Sequence, residues 1–87
     1  MHKRRLVWTP EAWKDYLYWQ NQDKKTLRRI NKLIDATLRD PLGGIGKPEA
    51  LKGNLSGFHS RRIDEMHRLV YAVEETHIVI VACRYHY

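Results

Sequence analysis

The sequence predicts an α+β domain: a small antiparallel sheet in β-α-α-β-β-β order with a helix hairpin packed on one face. Three observations lead there. Two stretches between positions 10 and 39 carry apolar residues at helical spacing, three stretches after Gly57 read as short strands, and a fourth strand candidate precedes the helices. With 87 residues, the chain has room for a single domain, residues 1–87, and one modest core.

Residues 4–8 (Arg-Arg-Leu-Val-Trp) form the first strand candidate. Thr9, Pro10 and Glu11 then supply an N-cap hydroxyl, an N1 proline and an early acidic residue, which together start a helix. On it Trp13, Tyr16, Leu17 and Gln20 share one face and are read as core, while Tyr18 and Trp19 fall off that stripe and are left for an interface. Asp23 is placed to cap a second helix. There Leu27, Ile30, Ile34, Thr37 and Leu38 recur at i, i+3, i+4 spacing until Asp40-Pro41 stops it. Lys24, Lys25, Arg28, Arg29, Lys32 and Arg39 crowd its other sides and read as a solvated face.

Glycine, proline and lysine dominate residues 41–57, which predicts a loop without regular structure. Its Gly-Gly-Ile-Gly-Lys-Pro run lacks the spacing of a phosphate-binding P-loop, and Pro48 stands where a magnesium-binding hydroxyl would be required. Glu49 is the lone carboxylate of this basic stretch, flanked by Lys47 and Lys52. Residues 58–64, 67–73 and 78–85 read as three strands of an antiparallel meander, with turns around Glu65-Met66 and 74–76. The run Ile78-Val-Ile-Val-Ala-Cys83 is apolar at both parities, as in a strand buried on both faces mid-sheet. Beyond it, strand alternation would set Arg84 and His86 on one face and Tyr85 and Tyr87 on the other. Neighbouring meander strands run in opposite directions, so the start of the strand carrying Arg68 lies level with the end of the strand carrying His86. Arg61 and Arg62 lie near the same turn.

The chain holds 16 Lys+Arg against 10 Asp+Glu, a formal charge of +6, so its field favours a polyanion: RNA, DNA or an acidic protein. A single cysteine, Cys83, excludes an internal disulfide and fits a reducing cytoplasm. The histidines are scattered and the thiol is alone, so neither a metal nor another cofactor is expected. The basic start is followed by no apolar segment of a signal peptide, and no stretch is apolar enough to span a membrane.

A carboxylate in a basic loop, a strand-borne arginine and a terminal histidine form a minimal set for metal-free cleavage of an RNA phosphodiester. A base takes the proton of the ribose 2′-hydroxyl, a fixed cation stabilises charge on the phosphate, and an acid protonates the departing 5′-oxygen. Glu49, Arg68 and His86 match these roles in turn, Lys47 and Lys52 can add phosphate contacts, and Tyr87 can stack on or orient a base. The other reading is a basic RNA- or ribosome-binding protein that blocks translation without cutting. A carboxylate among its phosphate contacts would serve such a binder poorly.

The runs Gly46-Lys-Pro-Glu-Ala-Leu-Lys52, Asn54-Leu-Ser-Gly-Phe58, Ser60-Arg-Arg-Ile63, His67-Arg-Leu-Val-Tyr-Ala-Val73 and Ala82-Cys-Arg-Tyr-His-Tyr87 resemble the YoeB/Txe toxins of the RelE-like superfamily. Asp15-Tyr-Leu-Tyr-Trp19 is similar to their first helix. The resemblance implies a type II toxin-antitoxin toxin: an endoribonuclease that cleaves mRNA in the A site of the 70S ribosome and is silenced by a YefM/Axe-type antitoxin. It maps the family's carboxylate, arginine, histidine and terminal tyrosine onto Glu49, Arg68, His86 and Tyr87, and supporting basic residues onto Lys52 and Arg62, with Lys47 and Arg61 beside them as RNA or phosphate contacts. His59 stands where the family commonly has Trp and Met66 where an acidic residue is usual, departures that bear on substrate detail and on the contacts of a homodimer.

Overall fold

In the computed structural model, which describes residues 4–85, the elements are β1 (Arg5–Trp8), α1 (Pro10–Gln22), α2 (Lys24–Arg39), β2 (Glu49–Ala50), β3 (Phe58–Arg62), β4 (Arg68–Val73) and β5 (His77–Ala82). The strands form one sheet in the order β1-β5-β4-β3-β2. The meander β3-β4-β5 is antiparallel as expected, whereas β1 runs parallel to β5, with Leu6 opposite Ile78 and Trp8 opposite Ile80, so the sheet is mixed. A parallel neighbour requires a long crossover, and the α1–α2 hairpin and meander between β1 and β5 supply it.

The β-branched run lies inside the sheet, between β1 and β4. Ile78 and Ile80 are buried against the helices, while Val79 is half-buried on the opposite face, which no helix covers; a register shift between Val70 and Tyr71 then sets Ala82 opposite Val70. The strand stops at Ala82, not at Tyr85. The neighbouring strands are also shorter than the sequence reading, because Asp64 turns the chain early: its Oδ1 accepts the N–H groups of Met66 and His67.

Both helices begin where the sequence places them. The Thr9 hydroxyl accepts Ala12 N–H at α1, and Asp23 Oδ1 accepts the N–H groups of Lys25 and Thr26 at α2. Ile30, Leu33 and Ile34 of α2 pack with Leu69, Tyr71, Ile78 and Ile80 of the sheet. Burying each such aliphatic side chain contributes about 1.5–3 kcal/mol.

The buried face of α1 differs from the expected one. Ala12 and Trp19 are its buried residues, while Trp13 and Leu17 are 46% and 37% exposed. The inward stripe runs through Ala12, Asp15 and Trp19, and it includes a carboxylate because Asp15 Oδ2 accepts the Cys83 N–H at 3.0 Å. Trp19 can be buried because its indole N–H donates to Cys83 O at 2.8 Å.

Candidate active site

β3 presents alternate residues to the two sides of the sheet, and the site follows from that alternation. Ser60 and Arg62 lie on the face without helices, opposite Val70 and Arg68 of β4. The residues between and beside them, Arg61 and His59, point to the other side, where Arg61 meets the Tyr71 hydroxyl and His59 stacks on the Tyr71 ring. Part of the predicted loop joins the sheet: Glu49 and Ala50 form β2, paired with β3 so that Glu49 stands opposite Ser60. A short 3-10 turn, Gly53–Leu55, completes the regular structure of that segment.

A cavity of about 140 Å³ opens on this face, lined by Lys47, Glu49, Ser60, Arg62 and Arg68. A smaller space of about 60 Å³ is lined by Glu49, Ser60 and Arg68 together with Leu51 and Val70. Three cations and one carboxylate thus converge around a serine that is 3% exposed. Arg68 Nη1 is buried and has no hydrogen-bond partner among the described residues. A desolvated guanidinium N–H without an acceptor is costly, and an oxyanion in the cavity would satisfy it. Lys47 is held at φ 51°, a left-handed conformation that a lysine adopts only under constraint.

Residues 83–85 carry the chain from β5 back to the start of β4. Asp15 and Trp19 of α1 hold the backbone of Cys83, and the Arg84 guanidinium lies 3.5 Å from the centre of the Tyr18 ring. Tyr85, at φ 64°, donates its N–H to His67 Nδ1 at 2.7 Å, and its carbonyl accepts the Arg68 N–H at 2.8 Å. The His67 ring in turn packs against Trp19, 4.8 Å between centres. Burial raises the Asp15 carboxyl above its ordinary value, against the lowering effect of the Cys83 N–H and Arg84. Burial also pushes the Cys83 thiol up to about 12, which makes it an inert core group.

Of the residues singled out by sequence, Glu49, Arg68, Lys47 and Arg62 come together. Lys52 is exposed and is not among those lining the cavity. His86 and Tyr87 lie outside the described residues, and with them the expected alternation beyond Tyr85. For Arg84 and Tyr85 that alternation fails, because the strand has already ended.

Arg61 is a correction. It is 0% exposed on the helix side of the sheet, and its guanidinium donates to Tyr71 Oη, Ile45 O and Asp40 O at 3.2, 2.8 and 2.7 Å, so it is not placed to meet a phosphate. Neither Ser60 nor His67 was marked by the sequence reading. The signal for Ser60 was a small hydroxyl residue in phase with Arg62 on one strand, visible only once Glu49 is known to pair with it.

The fold and pocket define a class: a small basic α+β domain that can engage a polyanion at a cationic cavity on an uncovered sheet face. Residues 8–87 match the family model for the YoeB-like toxin of bacterial type II toxin-antitoxin systems. The chain is 60% identical over 83 residues to toxin YoeB of Escherichia coli strain K12, covering 95% of this chain and 99% of that one. It also superposes on the YoeB dimer from Staphylococcus aureus with a TM-score of 0.91 at 49% identity, covering 98% of this chain and 99% of that one. Against the YoeB–YefM complex of the same organism the TM-score is 0.88 at 48% identity, with the same coverage. The chain belongs to the YoeB-like toxins of type II toxin-antitoxin systems.

Proposed function

We propose that the toxin is a ribosome-dependent endoribonuclease of the cytoplasm that cleaves mRNA in the A site of the 70S ribosome and is silenced by a YefM-type antitoxin. The observation that carries this is the convergence of Glu49, Arg62, Lys47 and the unsatisfied Arg68 Nη1 around one cavity. Glu49 takes the proton from the ribose 2′-hydroxyl as that oxygen attacks phosphorus. Arg68, with Lys47 and Arg62, meets the charge that builds on the non-bridging oxygens. His86 gives a proton to the 5′-oxygen as the P–O5′ bond breaks, leaving a cyclic phosphate on one fragment and a free hydroxyl on the other. Tyr87 stacks on or orients a neighbouring base, and Lys52 contacts the backbone beyond the cavity. No metal is assigned a role, since the base, the acid and the charge stabilisation all come from side chains.

The complex and the dimer seen for the S. aureus relative support two assemblies for this chain: inhibition by a YefM-type partner and a homodimer. An acidic antitoxin segment laid over the cationic face would occupy the RNA site directly. The test is cleavage of a defined message by the purified toxin with and without programmed ribosomes. Cleavage only with ribosomes supports the proposal; arrested translation on intact message would instead establish a binder that does not cut.

A further inference from the structure

We infer that Arg61 and Tyr71 act as positioning residues for the cleavage site, by fixing from the helix side of the sheet the loop that carries Lys47 and Glu49. This rests on the reading of the cavity as that site. The Arg61 guanidinium is fully buried, yet the partners found for it are carbonyl oxygens and a phenol. Burying a charge this way is expensive, and an apolar side chain would fill the same space at lower cost. What the guanidinium supplies instead is direction.

It gathers the carbonyls of Asp40 and Ile45, while the Tyr71 hydroxyl, which accepts from Arg61 Nε, donates to Pro41 O at 2.8 Å. Three points of a loop without regular structure are thereby tied to two adjacent strands. Immediately after the last of these, Gly46 O accepts the Arg62 N–H at 2.6 Å, and the chain passes through the left-handed Lys47 to Glu49 at the start of β2. β3 therefore builds the cavity twice. Ser60 and Arg62 line it directly, and Arg61, on the opposite face of the same strand, sets the loop that closes its other wall.

Tyr71→Phe removes the hydroxyl that serves Arg61 Nε and Pro41 O while keeping the ring. It should lower kcat for ribosome-bound message about tenfold with KM nearly unchanged, less than the ~hundredfold that a misplacement of about 1 Å can cost. Arg61→Lys should lose more. The decisive readout is a double-mutant cycle with Glu49→Gln in single-turnover cleavage. If Tyr71 acts through the loop, Tyr71→Phe costs much less once Glu49 has been disabled, keeping only the part that acts through Lys47. A full additional loss in that background, or no loss in the wild-type background, overturns the positioning role and leaves the cleavage reading standing. Full activity of Glu49→Gln alone overturns the cleavage reading itself.

Discussion

His67 Nδ1 accepts the backbone N–H of Tyr85 at 2.7 Å, which fixes this nitrogen as an acceptor and holds the chain in its left-handed turn one residue before His86. Tyr85 O accepts the Arg68 N–H, so the same turn is bonded to the residue proposed to meet the phosphate. His67→Phe keeps a ring against Trp19 but removes the acceptor. It should cut the cleavage rate at least tenfold while costing about 1 kcal/mol of stability. His67→Asn, whose Oδ1 can stand near Nδ1, should restore part of the rate. Equal rates for the wild type and the Phe variant in single-turnover cleavage would show that the bond has no part in activity.

Arg68→Ala removes the guanidinium from the cavity. Loss of one such charge-stabilising group commonly costs ~2.7–4 kcal/mol of barrier, so kcat should fall by about a hundredfold to a thousandfold. The fold should persist, because Arg68 stands on the uncovered face. Circular dichroism and single-turnover cleavage on the same preparation separate the two effects.

Gly46 has φ 86°, and a Cβ there would stand 2.6 Å from Leu33 Cδ2 and 3.1 Å from Arg61 Cβ. Gly46→Ala should therefore destabilise the fold by about 1–3 kcal/mol and shift the loop ahead of Lys47. Urea denaturation measures the first effect, and the amide resonances of Lys47 and Glu49 report the second.

Asp15 has its carboxyl raised above 3.8, chiefly by burial. The folded chain thus holds this proton to higher pH than the unfolded chain. Stability from this group is greatest below about pH 3.8 and falls as pH rises through the folded value. Asp15→Asn should flatten that component and leave the fold at least as stable at pH 7, since the amide oxygen still accepts the Cys83 N–H. Urea midpoints for both proteins, from about pH 3.5 up to about pH 7, test the sign.

The α+β class, both helix starts, the meander and the interest of Glu49, Arg68, Lys47 and Arg62, which line one cavity, were legible because each left a local signal: a cap, a period, or a motif. What sequence concealed was the direction of side chains. Arg61 and Arg62 are equal as letters, yet pairing with Leu69 sends one toward the helices and pairing with Arg68 sends the other into the cavity. The apolar stripe chosen for α1 missed Trp19 because the true inward line includes Asp15, whose partner is a backbone amide 68 residues away in sequence. Glu49 and Ala50 looked like loop because a strand of two residues has no period to detect. The parallel pairing of β1 with β5 likewise has no local mark, since it joins segments from opposite ends of the chain.

The central claim is that the cavity and the two residues that follow Tyr85 form one RNA-cleaving site. The most direct test is single-turnover cleavage of message held in the ribosomal A site by the full chain and by a chain lacking His86 and Tyr87, after circular dichroism shows equal folding. Loss of cleavage by the shortened chain, with β5 and the core retained, is the predicted result. Cleavage at the parental rate would contradict the account.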